Sequence, residues 1–391
     1  MFTVDEQFFF YRDTWVEVDL DCITENVKAV KQRLPDRVAI IAVVKANAYG
    51  HGDFQVAQAA LEAGATMLAV AFLDEALSLR GKGITAPILV LGASRPEDVN
   101  IAAEENITLT VFEQSWVTRA QRVLNPDTQL SLHVKVDTGM GRIGIRDEQE
   151  LRMVEQEILK DSRLQFDGIF THFATADEQN DSYYKIQLER FNFMVSNLQS
   201  RPPCIHSSNS AAALRYAEAQ FNAVRLGIVM YGLSPSKDMK QEIPFPFRQA
   251  FSLHSKVTQV KRINKGDKVS YGCTYEAQEK EWIGTIPIGY ADGWIRRLQG
   301  QEVLVDGMRS PIVGRICMDQ SMIKLPYQVS VGTTVTLIGS QQTQSITMDE
   351  IAEKLETINY EIPCLISSRV PRVYKRKGRM IDLKNPLIPK K

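Results

Sequence analysis

The chain has 391 residues, of which 44% are hydrophobic and 24% charged, proportions typical of a globular protein. Its 46 basic and 47 acidic residues give a net charge of −1, which does not favour nucleic-acid binding. Five cysteines without a CxxC pair support neither a disulfide framework nor a cysteine metal site. No apolar run approaches the roughly 20 residues of a membrane span. We therefore expect a reduced, cytoplasmic protein that binds neither nucleic acid, membrane nor metal.

Short apolar runs alternate with amphipathic segments over the first two-thirds of the chain. Segments such as ITENVKAVKQRL and YYKIQLERFNFMVSNLQ have a helical period. Roughly eight strand–helix units over about 230 residues predict a (β/α)8 TIM-type barrel across residues 1–245, with a doubly wound open sheet as the alternative. The runs predicted to be strands are 15–20, 38–44, 66–72, 87–92, 107–112, 130–136, 164–173 and 223–233.

The pattern changes at the proline-rich segment SPSKDMKQEIPFPF, which is typical of a linker. Beyond it, strand-like runs dominate, separated by turns such as NKGD and RKGR. Only MDEIAEKLETI is clearly helical, with Asp349 placed to cap it. We therefore predict a mainly-β C-terminal domain over residues 246–391.

In such a barrel the active site lies at the C-terminal ends of the strands, so the residues that follow each strand are the candidate site residues. Lys45 follows the second apolar run and precedes the turn ANAYGHG, with Tyr49 four residues on. A lysine there is either a solvated charge or a partly desolvated amine suited to Schiff-base chemistry.

Two later strands also end in polar residues. Lys135 and Arg142 flank the glycine-rich turn DTGMGRIG, which is either a tight loop with surface cations or a close approach to a ligand. His172 follows the next strand and is either structural or functional.

The segment HSSNSAAALR places Ser210 and its polar neighbours before a helical run. Such a cluster serves as an N-cap, and it is also suited to binding an anion. Arg225, followed by Gly227 and Ile228, lies in the last barrel run, where phosphate sites are frequently built.

Individually, the aromatic and loop residues of the second region fit ordinary turns or core positions. They are Tyr271 in VSYGCTY, Tyr290 in GYADGW, Met318 in GRICMDQ and Tyr360 in NYEIPC. The sequence contains no HExxH or GxSxG pattern, which argues against a zinc protease and a serine hydrolase.

Together, these segments resemble the alanine racemases, barrel enzymes that depend on pyridoxal 5′-phosphate (PLP). The similar blocks follow the family's order from about residue 15 to 375, and so cover essentially the whole chain. They are AVVKANAYGHG, DTGMGRIG, THFATADE, HSSNSAAALR, VRLGIVMYGLSP, VSYGCTY, IGYADGW, GRICMDQ and INYEIPC.

The resemblance implies a cofactor site built mainly on the barrel. Lys45 would carry PLP covalently through its amine, with Tyr49 packed beside it. Arg225 would face the pyridine nitrogen, with His172 behind it. The phosphate would be bound by Ser210, Gly227, Ile228 and Tyr360.

The resemblance also implies the reaction, the interconversion of L-alanine and D-alanine, which supplies D-alanine for peptidoglycan. The protein would be a head-to-tail homodimer, in which Lys45 acts on the D-alanine α-proton and the partner subunit's Tyr271 on the L-alanine one. Arg142 would reach the cofactor's phenolic oxygen and the substrate carboxylate, and the backbone at Met318 would help to hold that carboxylate.

Two further positions have expected roles. The partner's Tyr290 would line the entrance to the site. Lys135 matches a position that is carbamylated in some family members, so we expect the same modification here.

Three other functions fit parts of this pattern. A basic amino-acid decarboxylase shares the architecture but usually pairs the pyridine nitrogen with a glutamate, and Arg225 argues against it. A racemase of broader substrate range is often exported, and we see no signal peptide. A PLP-carrier protein resembles a lone barrel without a β-domain.

Overall fold

The computed structural model describes residues 10–388. These residues form two compact units. The first comprises residues 22–48 and 53–248, and the second comprises residues 10–21, 49–52 and 249–388.

A ring of parallel strands forms the centre of the first unit. β1 (Thr14–Asp19) belongs to the second unit, and the next eight strands build the first. They are β2 (Ala39–Val43), β3 (Met67–Val70), β4 (Ile88–Ala93), β5 (Ile107–Val111), β6 (Leu130–Lys135), β7 (Leu164–Phe170), β8 (Cys204–His206) and β9 (Ala223–Leu226).

Consecutive strands from β2 to β8 pair in parallel, and β9 returns to pair in parallel with β2. Between β8 and β9, Ile205 N donates to Asn222 Oδ1 at 2.7 Å and Arg225 N donates to Ser208 O at 3.0 Å. The sheet is therefore a nearly closed eight-stranded barrel, which confirms the predicted fold class.

Two strand predictions were wrong. The run 15–20 was predicted to be the first barrel strand, but β1 pairs with Phe251–Lys256 and Arg372–Arg376 in the second unit. The count of eight barrel strands is instead completed by β8, the seventh of them in chain order, which the sequence analysis missed. Only three residues long and ending in His206, β8 offers no apolar run to detect.

Helices follow most barrel strands. In Glu148–Leu159, Asp147 caps the start by accepting a hydrogen bond from Glu150 N at 2.9 Å, and the buried face comprises Leu151, Val154 and Ile158. Each such buried side chain stabilises the fold by about 1.5–3 kcal/mol. The helices are Leu20–Lys31, Asp53–Glu62, Leu73–Gly81, Val99–Glu104, Gln114–Val123, Glu148–Leu159, Ser182–Ser196 and Ser210–Arg215.

The proline-rich segment expected to be a linker packs within the first unit. It contains the short 3-10 helix Asp238–Gln241, whose Met239 is buried. Glu242 accepts two hydrogen bonds from Arg215, both at 2.7 Å. The segment is therefore fixed up to Arg248.

The second unit is mainly β-structure, as expected. Besides β1, its strands are β10 (Phe251–Lys256), β11 (Gln259–Ile263), β12 (Lys268–Val269), β13 (Tyr275–Glu276), β14 (Glu281–Ile286), β15 (Glu302–Val305), β16 (Met308–Val313), β17 (Ser321–Leu325), β18 (Thr334–Gln341), β19 (Gln344–Ile346), β20 (Arg372–Arg376) and β21 (Arg379–Lys384). The long sheet has the order β11-β14-β17-β16-β15-β18-β10-β1-β20-β21, with β19 paired to β18, and β12 and β13 form a separate hairpin.

Two helices of this unit are Met348–Leu355 and Glu361–Leu365. The predicted capping residue was wrong, because Thr347 rather than Asp349 accepts the hydrogen bond from Glu350 N, at 3.1 Å. Asp349 accepts instead from Asn359 Nδ2 at 2.8 Å.

Candidate active site

Lys45 follows β2 and opens a strained turn. The four residues after the lysine all have positive φ, with 53° at Ala46 and 52° at Asn47, Ala48 and Tyr49. Residues other than glycine rarely adopt this left-handed conformation. Ala46 N donates to Glu75 Oε1 at 2.6 Å, which anchors the turn. The chain thus enters a left-handed turn directly after the lysine, and such strain is typical of functional sites.

Arg225 lies inside the barrel and is 3% exposed. Nη1 donates to Nδ1 and to the carbonyl of His206 at 2.8 and 3.1 Å. Nη2 donates to the carbonyls of Thr171 and Ser207 at 2.8 and 2.9 Å, and lies 3.3 Å from His172 Nδ1. None of the hydrogen bonds that Arg225 makes within residues 10–388 uses its Nε–H. One donor of this buried guanidinium is therefore available to a ligand.

Burial, with a smaller effect of Arg142, lowers the pKa of Arg225 to about 9. The guanidinium is still charged at neutral pH. Burial and the nearby Arg225 also hold the pKa of His172 well below its ordinary value, so this imidazole is neutral.

Two further histidines extend the arginine's hydrogen bonds. His206 Nε2 lies 3.0 Å from His133 Nδ1, and burial, followed by Arg225, lowers the pKa of His133 to about 3. These two rings and the Cys204 thiol place their ligand atoms within 4.8 Å of one another, a spacing that could hold a metal ion. However, both nitrogens of His206 are engaged in hydrogen bonds, and the adjacent guanidinium disfavours a second cation. We interpret the group as a neutral hydrogen-bonded relay.

Lys135 ends β6 and is 4% exposed. Its Nζ lies 4.3 Å from the centroid of the Phe170 ring, and no carboxylate within residues 10–388 is at ion-pair distance. Burial, followed by the charges of Arg225 and Arg142, holds the pKa of Lys135 well below its ordinary value, and Lys45 adds to this effect. The four basic side chains therefore form one cluster at the strand ends, which the two arginines make cationic while the lowered pKa of Lys135 favours its neutral amine.

Asp137 folds the glycine-rich turn after β6. Its Oδ1 accepts hydrogen bonds from Gly139 N and Gly141 N at 3.1 and 2.9 Å. A Cβ on Gly144 would lie 2.5 Å from Asp137 N, so this close approach requires glycine. The turn leaves Arg142 exposed.

The polar segment before Ser210 contains an N-cap, since Asn209 Oδ1 accepts from Ala212 N at 3.0 Å. Ser210 Oγ accepts a hydrogen bond from Gly227 N at 2.9 Å. The hydroxyl proton of Ser210 is then free to point at another acceptor. Ile228 begins a 3-10 helix directly beyond, whose first N–H groups lack intrahelical partners.

Tyr49 and Tyr360, both in the second unit, have ring centroids 6.2 Å apart. Burial, followed by Cys364, raises the pKa of Tyr49, so its phenol is protonated at neutral pH.

Tyr271 is 72% exposed and opens the 3-10 turn Tyr271–Cys273. The preceding Ser270 has φ 68°, and its hydroxyl donates to Arg315 O at 2.6 Å, which fixes the turn. Tyr271 lines an open cavity of about 690 Å³ together with Lys268, Ser270, Cys317 and Met322.

Tyr290 and Met318 are tied together through the backbone. Tyr290 N donates to Cys317 O at 3.0 Å, and Ala291 N donates to Met318 O at 3.1 Å. Both side chains are exposed.

The structure thus brings the predicted residues together in three groups. One comprises Lys45, Lys135, Arg142, His172 and Arg225, to which Ser210, Gly227 and Ile228 are adjacent. The second pairs Tyr49 with Tyr360. In the third, the Tyr290 turn is bonded to the backbone of Cys317 and Met318, and Cys317 lines the same cavity as Tyr271. Sequence reasoning missed His133 and His206 as partners of Arg225. His133 lies in β6, which the sequence predicted, but His206 ends β8, which it did not, so no signal in the sequence linked the two rings.

A barrel with a strand-end lysine and a buried arginine, followed by a β-unit with an exposed tyrosine, defines a class of two-unit barrel enzymes. Residues 18–235 match the family model "Alanine racemase, N-terminal domain", and residues 250–374 match "Alanine racemase, C-terminal domain". The chain belongs to the alanine racemase family, whose members are isomerases.

Individual relatives support this assignment. The chain is 58% identical to an alanine racemase of Geobacillus kaustophilus, with 96% of this chain and 98% of that protein covered. It is 54% identical to alanine racemase 1 of Bacillus subtilis, over 97% of each chain. A crystal structure of alanine racemase from Bacillus anthracis with bound L-Ala-P superposes with a TM-score of 0.95 at 53% identity, covering 97% of this chain and 99% of that one.

No helix between residues 10 and 388 is long and apolar enough to cross a membrane.

Proposed function

We propose that this chain is a PLP-dependent racemase that interconverts L-alanine and D-alanine in the cytoplasm and supplies D-alanine for peptidoglycan. We further propose that residues 1–245 form its PLP-binding barrel domain, that residues 246–391 form the β-domain, and that it works as a homodimer with shared sites. The observation that carries the proposal is the buried Arg225, whose hydrogen bonds within the described residues do not use its Nε–H, beside a cluster of basic side chains.

The residues fit PLP in charge and in hydrogen-bonding capacity. The cofactor's phosphate and phenolic oxygens are anionic, and the barrel cluster is cationic. Arg225 offers one N–H but cannot accept a proton, so it suits an unprotonated ring nitrogen. The Ser210 hydroxyl, the backbone N–H of Ile228 and the phenol of Tyr360 would donate hydrogen bonds to the phosphate. Gly227, whose N–H donates to Ser210 Oγ at 2.9 Å, would hold that hydroxyl in place. Lys45 would hold the cofactor covalently, with Tyr49 against it.

Racemisation removes the α-proton from one face of alanine and returns a proton to the other. PLP would supply an electron sink for the carbanion. The Lys45 amine would exchange a proton with the D-alanine face, and the partner subunit's Tyr271 phenol with the L-alanine face. His172, behind Arg225, is neutral and so does not act as an imidazolium acid on that side of the site.

Arg142 would bind the substrate carboxylate and the cofactor's phenolic oxygen, and the backbone at Met318 would assist with the carboxylate. We propose that Lys135 is carbamylated. Its neutral amine nitrogen would attack the carbon of CO₂, open one carbon–oxygen double bond and release a proton to solvent. The new carboxylate would neutralise the cluster and orient Arg142.

The exposure of Tyr271 supports the proposed dimer. A side chain that is 72% exposed has little structure around it to position a phenol for proton transfer. A second chain packed over this surface would provide those surroundings, and the partner's Tyr290 would then line the entrance.

The deciding experiment is a coupled assay of purified holoenzyme with a panel of L-amino acids. We expect D-alanine to form faster than any other D-amino acid. Release of CO₂ from a basic amino acid would instead favour a decarboxylase, and preferred turnover of serine would favour a broader racemase. Bound PLP without D/L exchange would favour a carrier protein.

A further inference from the structure

We propose that Asp292 is a positioning residue that fixes the turn of Tyr290 against the backbone of Met318, and so sets substrate affinity. The inference rests on the proposed function, because it gives Tyr290 and Met318 their roles at the entrance and at the substrate carboxylate. All the contacts that carry it lie within the second unit.

Asp292 is a carboxylate with 0% exposure. Its Oδ1 accepts a hydrogen bond from Arg12 Nη1 at 2.7 Å, and Oδ2 accepts from Gly289 N at 3.0 Å. Arg369 Nε lies 3.8 Å from Oδ1. Because both carboxylate oxygens face donors, the group is held in one orientation, and it closes the turn that carries Tyr290.

One side of this turn is bonded to the Met318 segment by the two backbone hydrogen bonds from Tyr290 and Ala291. A Cβ on Gly289 would lie 2.3 Å from Cys317 O and 2.4 Å from Met318 O. The two backbones therefore touch, and a shift of the turn must move the Met318 carbonyl as well.

The other side of the Tyr290 turn is hydrogen-bonded to Ser367. Ser367 N donates to Asp292 O at 3.0 Å, and Ser367 Oγ donates to Ala291 O at 3.1 Å. Gly293, at φ 95°, approaches so closely that a Cβ would lie 2.0 Å from Leu365 O. The turn is thus clamped between two segments.

Arg369 completes a chain of alternating charges. Its Nη2 donates to Asp319 Oδ1 at 2.8 Å, and its carbonyl accepts from Arg12 Nη2 at 3.2 Å. Asp319 directly follows Met318, so the chain Arg12–Asp292–Arg369–Asp319 joins the Tyr290 turn to the Met318 segment a second time. Removing one partner of a buried ion pair leaves an uncompensated charge, which would loosen the turn.

A loosened turn should weaken substrate binding more than it slows proton transfer, since the proposed bases are elsewhere. We expect Arg12→Gln to raise KM for alanine about tenfold while kcat changes by less than about threefold. Arg12→Lys keeps the charge and should restore most of the affinity. Asp292→Asn should act in the same direction, because its amide turns one acceptor into a donor facing a donor.

Arg309→Gln is the matched control. Arg309 is also a partly exposed arginine of the second unit, paired with Glu302 and Glu350. The Arg309→Gln variant should have the wild-type KM for alanine. An unchanged KM in Arg12→Gln, an equal rise in the control, or a fall in kcat alone would overturn the proposal.

Amide hydrogen exchange gives a readout that does not depend on turnover. Peptides covering residues 289–294 should exchange faster in Arg12→Gln than in wild type, and remain unchanged in Arg309→Gln. If wild type fails to racemise alanine, the proposed function falls, and the exchange result still decides whether Asp292 positions the turn. Unchanged exchange in Arg12→Gln refutes the positioning role. Arg12 is 29% exposed, so its substitution tests the contact even if Asp292→Asn does not fold.

Discussion

Arg225 Nη1 donates a hydrogen bond to His206 Nδ1 across 2.8 Å. Since arginine can only donate, His206 Nδ1 must be an acceptor, and the single proton of the neutral ring sits on Nε2. That proton is donated to His133 Nδ1 at 3.0 Å. Both tautomers are therefore set by Arg225, and both rings must stay neutral for the arrangement to hold.

The buried histidines make stability fall in acid. The pKa of His133 is lowered to about 3 by burial, and those of His172 and His206 are also well below their ordinary values. Between about pH 6.5 and the lowered pKa, the unfolded chain binds protons that the native chain does not, so stability present above pH 6.5 is lost as pH falls.

We expect each of these histidines to reduce the free energy of unfolding by about 1.4 kcal/mol per pH unit in that range. Urea unfolding at a series of pH values measures this slope. His133→Asn, which keeps an acceptor near the position of Nδ1, should reduce the slope. Stability that does not change between about pH 7 and about pH 5 would contradict the assignment of neutral rings.

Lys45 should be the site of covalent attachment. Borohydride reduction of the holoenzyme should add a pyridoxyl group to Lys45, detected by peptide mass mapping, because its amine follows a barrel strand beside the cationic cluster. Lys45→Ala should be nearly inactive and show no adduct. An adduct on another lysine, or none in active enzyme, would show that the assignment is wrong.

Lys135 should carry a carbamate. Formation requires a neutral amine, which burial and the neighbouring cations favour by lowering the pKa of Lys135. We expect active enzyme equilibrated with isotopically labelled bicarbonate to show a labelled carbamate by NMR, and Lys135→Ala to show none and to bind alanine less tightly. An unmodified Lys135 in active enzyme, or full activity of Lys135→Ala, would count against the modification.

Replacing Ala46, in the strained turn after Lys45, with glycine should stabilise the protein. Ala46 has φ 53°, which costs an alanine about 1–2 kcal/mol and a glycine little. Glycine also raises the entropy of the unfolded chain, which offsets part of this gain. Ala46→Gly should therefore raise the free energy of unfolding, measured in urea, by up to about 1 kcal/mol. Ala59→Gly, within the helix Asp53–Glu62, is the control and should destabilise it by about 0.5–1 kcal/mol. Equal effects of the two substitutions would show that the turn holds no strain.

The alternation of apolar runs and helices was sufficient to predict the barrel, because parallel strands buried on both faces have continuous apolar sequences. The same reasoning misplaced β1, whose sequence TWVEVD also predicts a strand, because the sheet that a strand joins depends on distant pairing, here with Phe251–Lys256. It missed β8, because three residues carry too little periodicity.

The candidate site was predictable where the ends of strands concentrate polar residues, as at Lys45 and Lys135. The partners of Arg225 were not, because His133 and His206 lie 73 residues apart in sequence and meet only when β6 and β8 are placed in the barrel. Asp292 was also beyond sequence reasoning, since its contact with Arg12 spans 280 residues.

The proposal that Lys45 and Tyr271 act from different chains predicts complementation between two inactive variants. Lys45→Ala cannot hold the cofactor, and Tyr271→Ala lacks the base for one face. In a heterodimer of the two, one site inherits both defects and the other pairs an intact Lys45 with an intact Tyr271. Random exchange between equal amounts makes half of the dimers mixed, so activity should return to about a quarter of wild type per total subunit.

The experiment mixes the purified variants under conditions that exchange subunits, confirms heterodimers by native mass spectrometry, and then measures racemisation. Each variant exchanged with itself is the control and should stay inactive. If Tyr271 served the lysine of its own chain, each mixed dimer would contain one site without Lys45 and one without Tyr271, and no activity would return. Activity therefore reappears only if the exposed Tyr271 acts on the partner's site, which separates shared sites from independent ones without requiring a structure of the dimer.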